Sequence, residues 1–141
     1  MACRIHALGE LSDYRFTVIF ARYNGKLLLS RHKKRSTWET QGGHIEAGES
    51  TLDCARRELF EESGAVDFTI SPAFDFWASG NKGRANGQVF IAQIHEMGTL
   101  PESEMAEVCL FDELPENVTY PGITPVLYEY LKTLPAWNEL T

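Results

Sequence analysis

Three glutamates crowd the end of one short segment. In "ARRELFEESG", residues 55–64, Glu58 is followed by Glu61 and Glu62 just before Gly64. Positions i, i+3 and i+4 of a helix share a face, so the three carboxylates lie together. Like charges at these spacings cost roughly 0.2–0.5 kcal/mol per pair, and anions near a helix C-terminus meet the negative end of its dipole. Either water bathes that face or a cation offsets the repulsion. Hard divalent cations such as Mg²⁺ prefer oxygen ligands and are commonly held by carboxylates together with substrate phosphates. Such a cation orients a diphosphate, polarises phosphoryl oxygens and activates water.

The surrounding sequence supplies the elements that would present this face. Ser50 is an N-cap with Asp53 three residues later, and Gly64 suits the left-handed position that closes a helix. Leu52, Ala55 and Leu59 form an apolar stripe displaced from the carboxylates, which predicts an amphipathic helix. Upstream, "RFTVIFARYNGKLLLSRH" places two apolar runs around Asn24-Gly25, the signal of a type I′ hairpin. "KKRST" then reads as a polar loop, and the Gly-rich "WETQGGHIEAGES" as irregular structure. Downstream, "VDFTI", "AFDFWAS", "QVFIAQIHE" and "EVCLF" read as strands, punctuated by Pro72 and a "GNKGRANG" loop. A final helix is expected over "TPVLYEYLKTL", with Pro125 in its first turn. Strands mixed with two well-separated helices predict an α/β or α+β sandwich.

A chain of 141 residues fits one domain with a real core. Its net charge of −7 argues against general binding to nucleic acid or membrane surfaces, though a cation can still receive a small anionic ligand. Cys3, Cys54 and Cys109 are odd in number and widely spaced, as expected of reduced thiols. No apolar run approaches the ~18 residues of a membrane helix, and the N-terminal stretch lacks a signal-peptide core. The expected location is the cytoplasm.

The spacing around the glutamates extends upstream. Gly43, five residues, Glu49, seven residues, Arg57-Glu58-Leu59, one residue, Glu61-Glu62, one residue and Gly64 together form one pattern. It resembles the Nudix box, and the chain is identified on it as a member of the Nudix hydrolase family. The match spans Gly43–Ala65, with Ala65 where the family prefers a bulkier aliphatic residue. The resemblance implies a single Nudix domain over residues 1–141, an α/β/α sandwich with a mixed sheet between helices. It implies a Mg²⁺ or Mn²⁺ cofactor held by Glu58, Glu61 and Glu62 with the Gly42 carbonyl, the glycines letting backbone approach the metal. Arg57 and Glu49 would support the loop–helix geometry through an ion pair. The implied reaction is hydrolysis of a nucleoside diphosphate linked to a group X, here a nucleoside triphosphate or related nucleotide. Glu58 is one candidate general base; in several branches a later-loop glutamate serves, and Glu104 and Glu107 stand where that would be. A homodimer is among the assemblies the family adopts.

Several residues carry two readings. "RHKKR", residues 31–35, is the one basic cluster of an acidic chain; it either steers phosphates toward the box, with Arg35 a substrate contact, or is a solvated strand end. His44, at a variable box position, reads as a loop residue that would lie near phosphate and not as a metal ligand, and Gly43 would approach phosphate through its backbone. His6, His32 and His95 show no metal-ligand spacing. Trp38, Phe74, Phe76 and Trp77 either stack a base or fill the core, and Trp38, near the box loop, is the stacking candidate. Thr124, in "YPGITP", stands where MutT-type members carry the Asn that reads oxidised guanine, which argues against that specificity. The competing function is a non-catalytic Nudix module that binds a nucleotide as a sensor; a pure sensor would not need all three glutamates.

Overall fold

The computed structural model describes residues 2–81 and 83–141. The Asn24-Gly25 turn adopts φ of 53° and 76°, the two left-handed positions of a type I′ turn. It joins β2 (Tyr14–Tyr23) to β3 (Lys26–His32), with Tyr23 facing Lys26 across the ladder. Around this hairpin the other strands are β1 (Ala2–His6), β4 (Trp38–Glu39), β5 (Gln41–His44), β6 (Ala65–Gly80), β7 (Gly83–Met97) and β8 (Met105–Phe111). They form one mixed sheet in the order β1-β6-β7-β2-β3-β4, with β5 added to β2 and β8 to β3. The β2/β7 pair is parallel and the remaining ladders are antiparallel.

Strand alternation divides the interior into two cores. Ile19, Ala21, Leu28, Phe90, Ala92 and Ile94 project to one face, where Ala55 and Leu59 of α1 (Thr51–Ser63) cover them. Phe20, Leu27, Leu29, Phe74, Val89 and Ile91 project to the other, against Leu127, Tyr128 and Leu131 of α2 (Thr124–Leu131). Trp137 of α3 (Pro135–Asn138) closes that second core and receives the Arg22 guanidinium 4.2 Å above its ring. Helices thus cover both faces of a mixed sheet, the expected α/β/α sandwich. No helix among the described residues is long and apolar enough to cross a membrane.

Several local expectations are corrected. The Gly-rich segment is ordered as β4 and β5, because β2 offers β5 a partner edge from Phe16↔His44 to Ile19↔Gln41. The two strands expected around Pro72 are one, β6: among the described residues no strand flanks the outer edge at Pro72, and Ala73 bulges at a register shift. Most of the expected "GNKGRANG" loop is strand, with Ser79 facing Arg84 and Gly80 facing Gly83; its Lys82 lies outside the described residues. The last helix stops at Leu131, and the separate α3 follows. On α1 Leu52 is exposed, and Cys54 takes the expected third place in the buried stripe.

Candidate active site

The α1 helix begins as its sequence predicts. Ser50 Oγ accepts the Asp53 N–H at 3.0 Å, and Gly64, at φ 83°, donates its N–H to the Phe60 carbonyl at 2.8 Å. A further carbonyl of the last turn, that of Glu62, is met by Ser30 Oγ at 2.7 Å, itself held by Gln41 Nε2 at 2.9 Å. The acidic end of the helix is therefore fixed against β3 and β5.

Arg57 organises the box. Its Nε donates to Glu49 Oε2 at 2.7 Å and its Nη2 to Glu49 Oε1 at 3.0 Å, a two-pronged ion pair. Nη1 reaches Glu58 Oε1 at 2.8 Å and Glu61 Oε2 at 3.4 Å, while Nη2 also meets the His44 carbonyl at 3.4 Å. The Arg57 hydrogen bonds hold Glu49 down at a pKa of about 2, and Glu49 in turn pushes the Arg57 pKa further up. One guanidinium thus joins the loop, the helix and two of the clustered glutamates.

Glu58 and Glu62 meet a different environment. Burial raises the Glu58 pKa, and the Arg57 hydrogen bond opposes that rise without cancelling it. Glu62 is pushed up to about 8, chiefly by burial, with the Gly42 N–H working the other way and nearby Glu58, Glu39 and Glu104 adding to the rise. Its Oε1 accepts that N–H at 2.8 Å, and no lysine, arginine or histidine pairs with it among the described residues. The two glycines make room for this arrangement. A Cβ on Gly43 would lie 2.6 Å from Glu58 Oε1; one on Gly42, at φ 148°, would lie 2.2 Å from the Thr17 carbonyl oxygen.

As placed, no three His, Cys, Asp or Glu side chains among the described residues converge on a metal position. Glu58 spends one oxygen on Arg57 and Glu62 one on Gly42, each leaving a second oxygen. A desolvated carboxylate with no cationic partner, beside a second raised carboxylate and a glycine-lined gap, is nevertheless a donor set that suits a hard cation.

The other anticipated residues lie around this centre with their charges largely matched. The β3/β8 ladder sets the basic loop against the acidic one: Arg31 bonds Glu107 at 2.7 Å, Lys33 bonds Glu102 at 2.9 Å, and His32 stands 3.7 Å from Glu104. Arg35 bonds Glu39 at 3.1 Å. This pairing weakens the steering reading of residues 31–35, since little of their positive charge is uncompensated. Trp38 packs edge-on against Phe111, ring centroids 5.1 Å apart, as part of the α2-side core. The His44 side chain is exposed, and Thr124 is buried at the start of α2.

Glu39 is the carboxylate that spacing did not reveal. It is 8% exposed, pairs with Ser30 across β3/β4 and also accepts Thr119 Oγ1 at 3.0 Å. The Gly-rich reading of its segment hid it: only as strand β4 does this position turn toward α1's acidic end.

Comparison with known proteins agrees with the geometry. The family model described as NUDIX domain matches residues 13–127, so the chain belongs to the Nudix family. Among named relatives, the Nudix hydrolase YfcD of Escherichia coli K12 is 31% identical over 123 residues, 82% of this chain and 66% of YfcD. YtkD of Bacillus subtilis, whose name carries a provisional 8-oxo-dGTP diphosphatase assignment, is 29% identical over 102 residues, 72% of this chain and 64% of YtkD. The chain therefore spans about two thirds of the length of these relatives. Among solved structures, the Bacillus subtilis pyrophosphohydrolase BsRppH superposes with a TM-score of 0.82 over 99% of this chain and 93% of that one, at 24% identity. That superposition supports the fold.

Proposed function

We propose that the protein is a divalent-metal-dependent Nudix hydrolase that cleaves a phosphoanhydride bond in a nucleoside diphosphate linked to a group X, a nucleoside triphosphate or related nucleotide. The observation that carries this reading is Glu62, a desolvated carboxylate without a cation, beside Glu58 and the glycine gap. Glu58, Glu61 and Glu62 would hold Mg²⁺ or Mn²⁺, with the Gly42 carbonyl as a further ligand. Such a cation supplies charge to the phosphoryl oxygens and lowers the pKa of a coordinated water.

The chain's own residues do the rest. Arg57 fixes Glu58 against the loop through Glu49, so the carboxylate needs little reorganisation when substrate arrives. Glu58 keeps one oxygen free of Arg57 and is the candidate base for the attacking water. Glu104 lies close enough to raise the Glu62 pKa and is the outer-loop alternative, whereas Glu107 is spent on Arg31. Gly43 and His44 flank the loop along which the diphosphate would lie. Arg35, bonded to Glu39, would be a further contact to the substrate's phosphates.

A phosphate-release screen tests this reading, run over canonical and oxidised nucleoside triphosphates, dinucleotides and nucleotide sugars, with and without Mg²⁺. Turnover that needs the metal and disappears in Glu58→Gln is expected. Nucleotide binding without turnover on any of these would support the sensor instead.

A further inference from the structure

A second group of basic residues lies on the α1 face of the sheet, beyond the helix. Arg4 of β1 faces Trp77 of β6, and Trp77 faces Asn86 of β7, so the three share a face. Arg84, two residues before Asn86, lies on that face as well, its guanidinium 4.2 Å above the Trp77 ring. Beside it is a cavity of about 310 Å³ lined by Asp13, Arg15, Arg84, Ala85 and Asn86. The cavity adjoins the box loop: the Arg15 carbonyl accepts the Ile45 N–H at 2.9 Å, and its neighbour Phe16 faces His44.

Charge pairing separates the arginines of this cavity from those of the box and the basic loop. Arg31, Arg35 and Arg57 each hold a carboxylate, whereas Arg4, Arg15 and Arg84 form no ion pair among the described residues. Asp13 lines the same cavity without coming within ion-pair distance of either arginine there. Unmatched positive charge in a concave site of a chain with net charge −7 is a local attractor for anions. Guanidinium groups match phosphate geometry, and stacking on Trp77 orients the plane of Arg84 in advance.

We propose that this cavity is a second phosphate subsite, which holds a phosphate of the substrate beyond the triphosphate chain engaged at the box. Arg15 and Arg84 are its ligands, Trp77 sets the orientation of Arg84, and Arg4 adds to the field. The inference rests on the hydrolytic reading of the box and deepens it: the preferred substrate carries an additional phosphate. Two compounds supply that chemistry, a nucleoside 5′-triphosphate bearing a 3′-phosphate and a dinucleoside tetraphosphate.

Binding separates this subsite from the hydrolysis itself. Methylene-bridged, non-hydrolysable analogues of both compounds and of a plain nucleoside triphosphate are titrated calorimetrically with Mg²⁺ into wild type, Arg15→Gln, Arg84→Gln and Arg84→Lys. At least one phosphate-rich analogue should bind wild type more tightly than the plain one, and whichever does so identifies the source of the phosphate. Each glutamine variant should weaken that compound about tenfold while leaving the plain analogue within about twofold, and Arg84→Lys should fall between. On hydrolysable substrates the loss should appear in KM with kcat unchanged. Equal affinity of wild type for all three analogues, or equal losses for all three in the variants, overturns the subsite. If discrimination in binding survives but no compound is turned over, the subsite stands and the hydrolytic reading falls.

Discussion

Replacing Glu62 with glutamine isolates the electrostatic strain on which the proposed metal site depends. The amide keeps an oxygen for the Gly42 N–H, which lies 2.8 Å from Glu62 Oε1, and loses only the titratable charge. In the metal-free protein Glu62 titrates near 8 against an ordinary 4.5, so the folded state binds a proton that the unfolded chain has released. An acid raised in this direction contributes stability that is fully present below pH 4.5 and is lost as pH rises toward 8. At about 1.4 kcal/mol per pH unit, the loss between pH 4.5 and 7 is roughly 3 kcal/mol, on the order of 10 °C in Tm for a chain of this size. Thermal unfolding of wild type and Glu62→Gln in a chelator, from pH 5 to 9, measures it directly. Wild type should melt progressively lower up to about pH 8 and level off above it, and Glu62→Gln should lack most of this slope. Saturating Mg²⁺ at pH 8 should then recover much of the wild-type loss, with proton release, and do far less for the variant. An identical pH slope in both proteins would refute the assignment of the strain to Glu62. Equal stabilisation of both by Mg²⁺ would remove Glu62 from the cation site.

The neighbouring residues give contrasting outcomes. Arg57→Ala should lower Tm at pH 7 and should reduce activity with it; because Glu49 titrates near 2 when paired, the stability gap from wild type should shrink as pH falls below 4.5 toward 2, in acid melts of the two proteins. Gly43→Ala puts a methyl group 2.6 Å from Glu58 Oε1, the mobile end of a side chain, so the fold should survive while turnover falls about 10²-fold through misplacement of that carboxylate. Gly42→Ala meets the fixed Thr17 carbonyl at 2.2 Å from a backbone conformation alien to alanine, so its larger deficit should appear in Tm.

What the sequence made legible follows from the range of the forces involved. The hairpin at Asn24-Gly25, the Ser50 cap and the Gly64 stop are set by residues within a few positions of one another, and each formed as expected. The box was legible for the same reason, since a helix fixes the relation of Glu58, Glu61 and Glu62 by spacing alone. Strands β4 and β5 were not, because nothing local makes Gln41–His44 extended; the pairing is supplied by β2, more than twenty residues earlier. The distinction between a strand and a loop decided the meaning of two glutamates. Had residues 38–44 remained irregular, Glu39 would be one more surface acid, and the Gly42 N–H would not be fixed beneath Glu62.

The same long-range pairing changes how the charges are weighed. By sequence, residues 31–35 were the obvious cationic feature, and Arg4, Arg15 and Arg84, scattered over eighty positions, were no feature at all. The β3/β8 ladder brings Glu102, Glu104 and Glu107 to the first group and pairs most of its charge, while β1, β6 and β7 gather Arg4 and Arg84 on one face beside Arg15, none of the three in an ion pair among the described residues. A cluster contiguous in sequence is compact before folding and so is readily matched by one opposing strand. A cluster assembled by the sheet has no such opposing segment unless the fold provides one, and here β6 and β7 provide Trp77 and Asn86 instead. The unmatched charge that can act on a ligand is therefore found where the topology, rather than the local composition, has concentrated it.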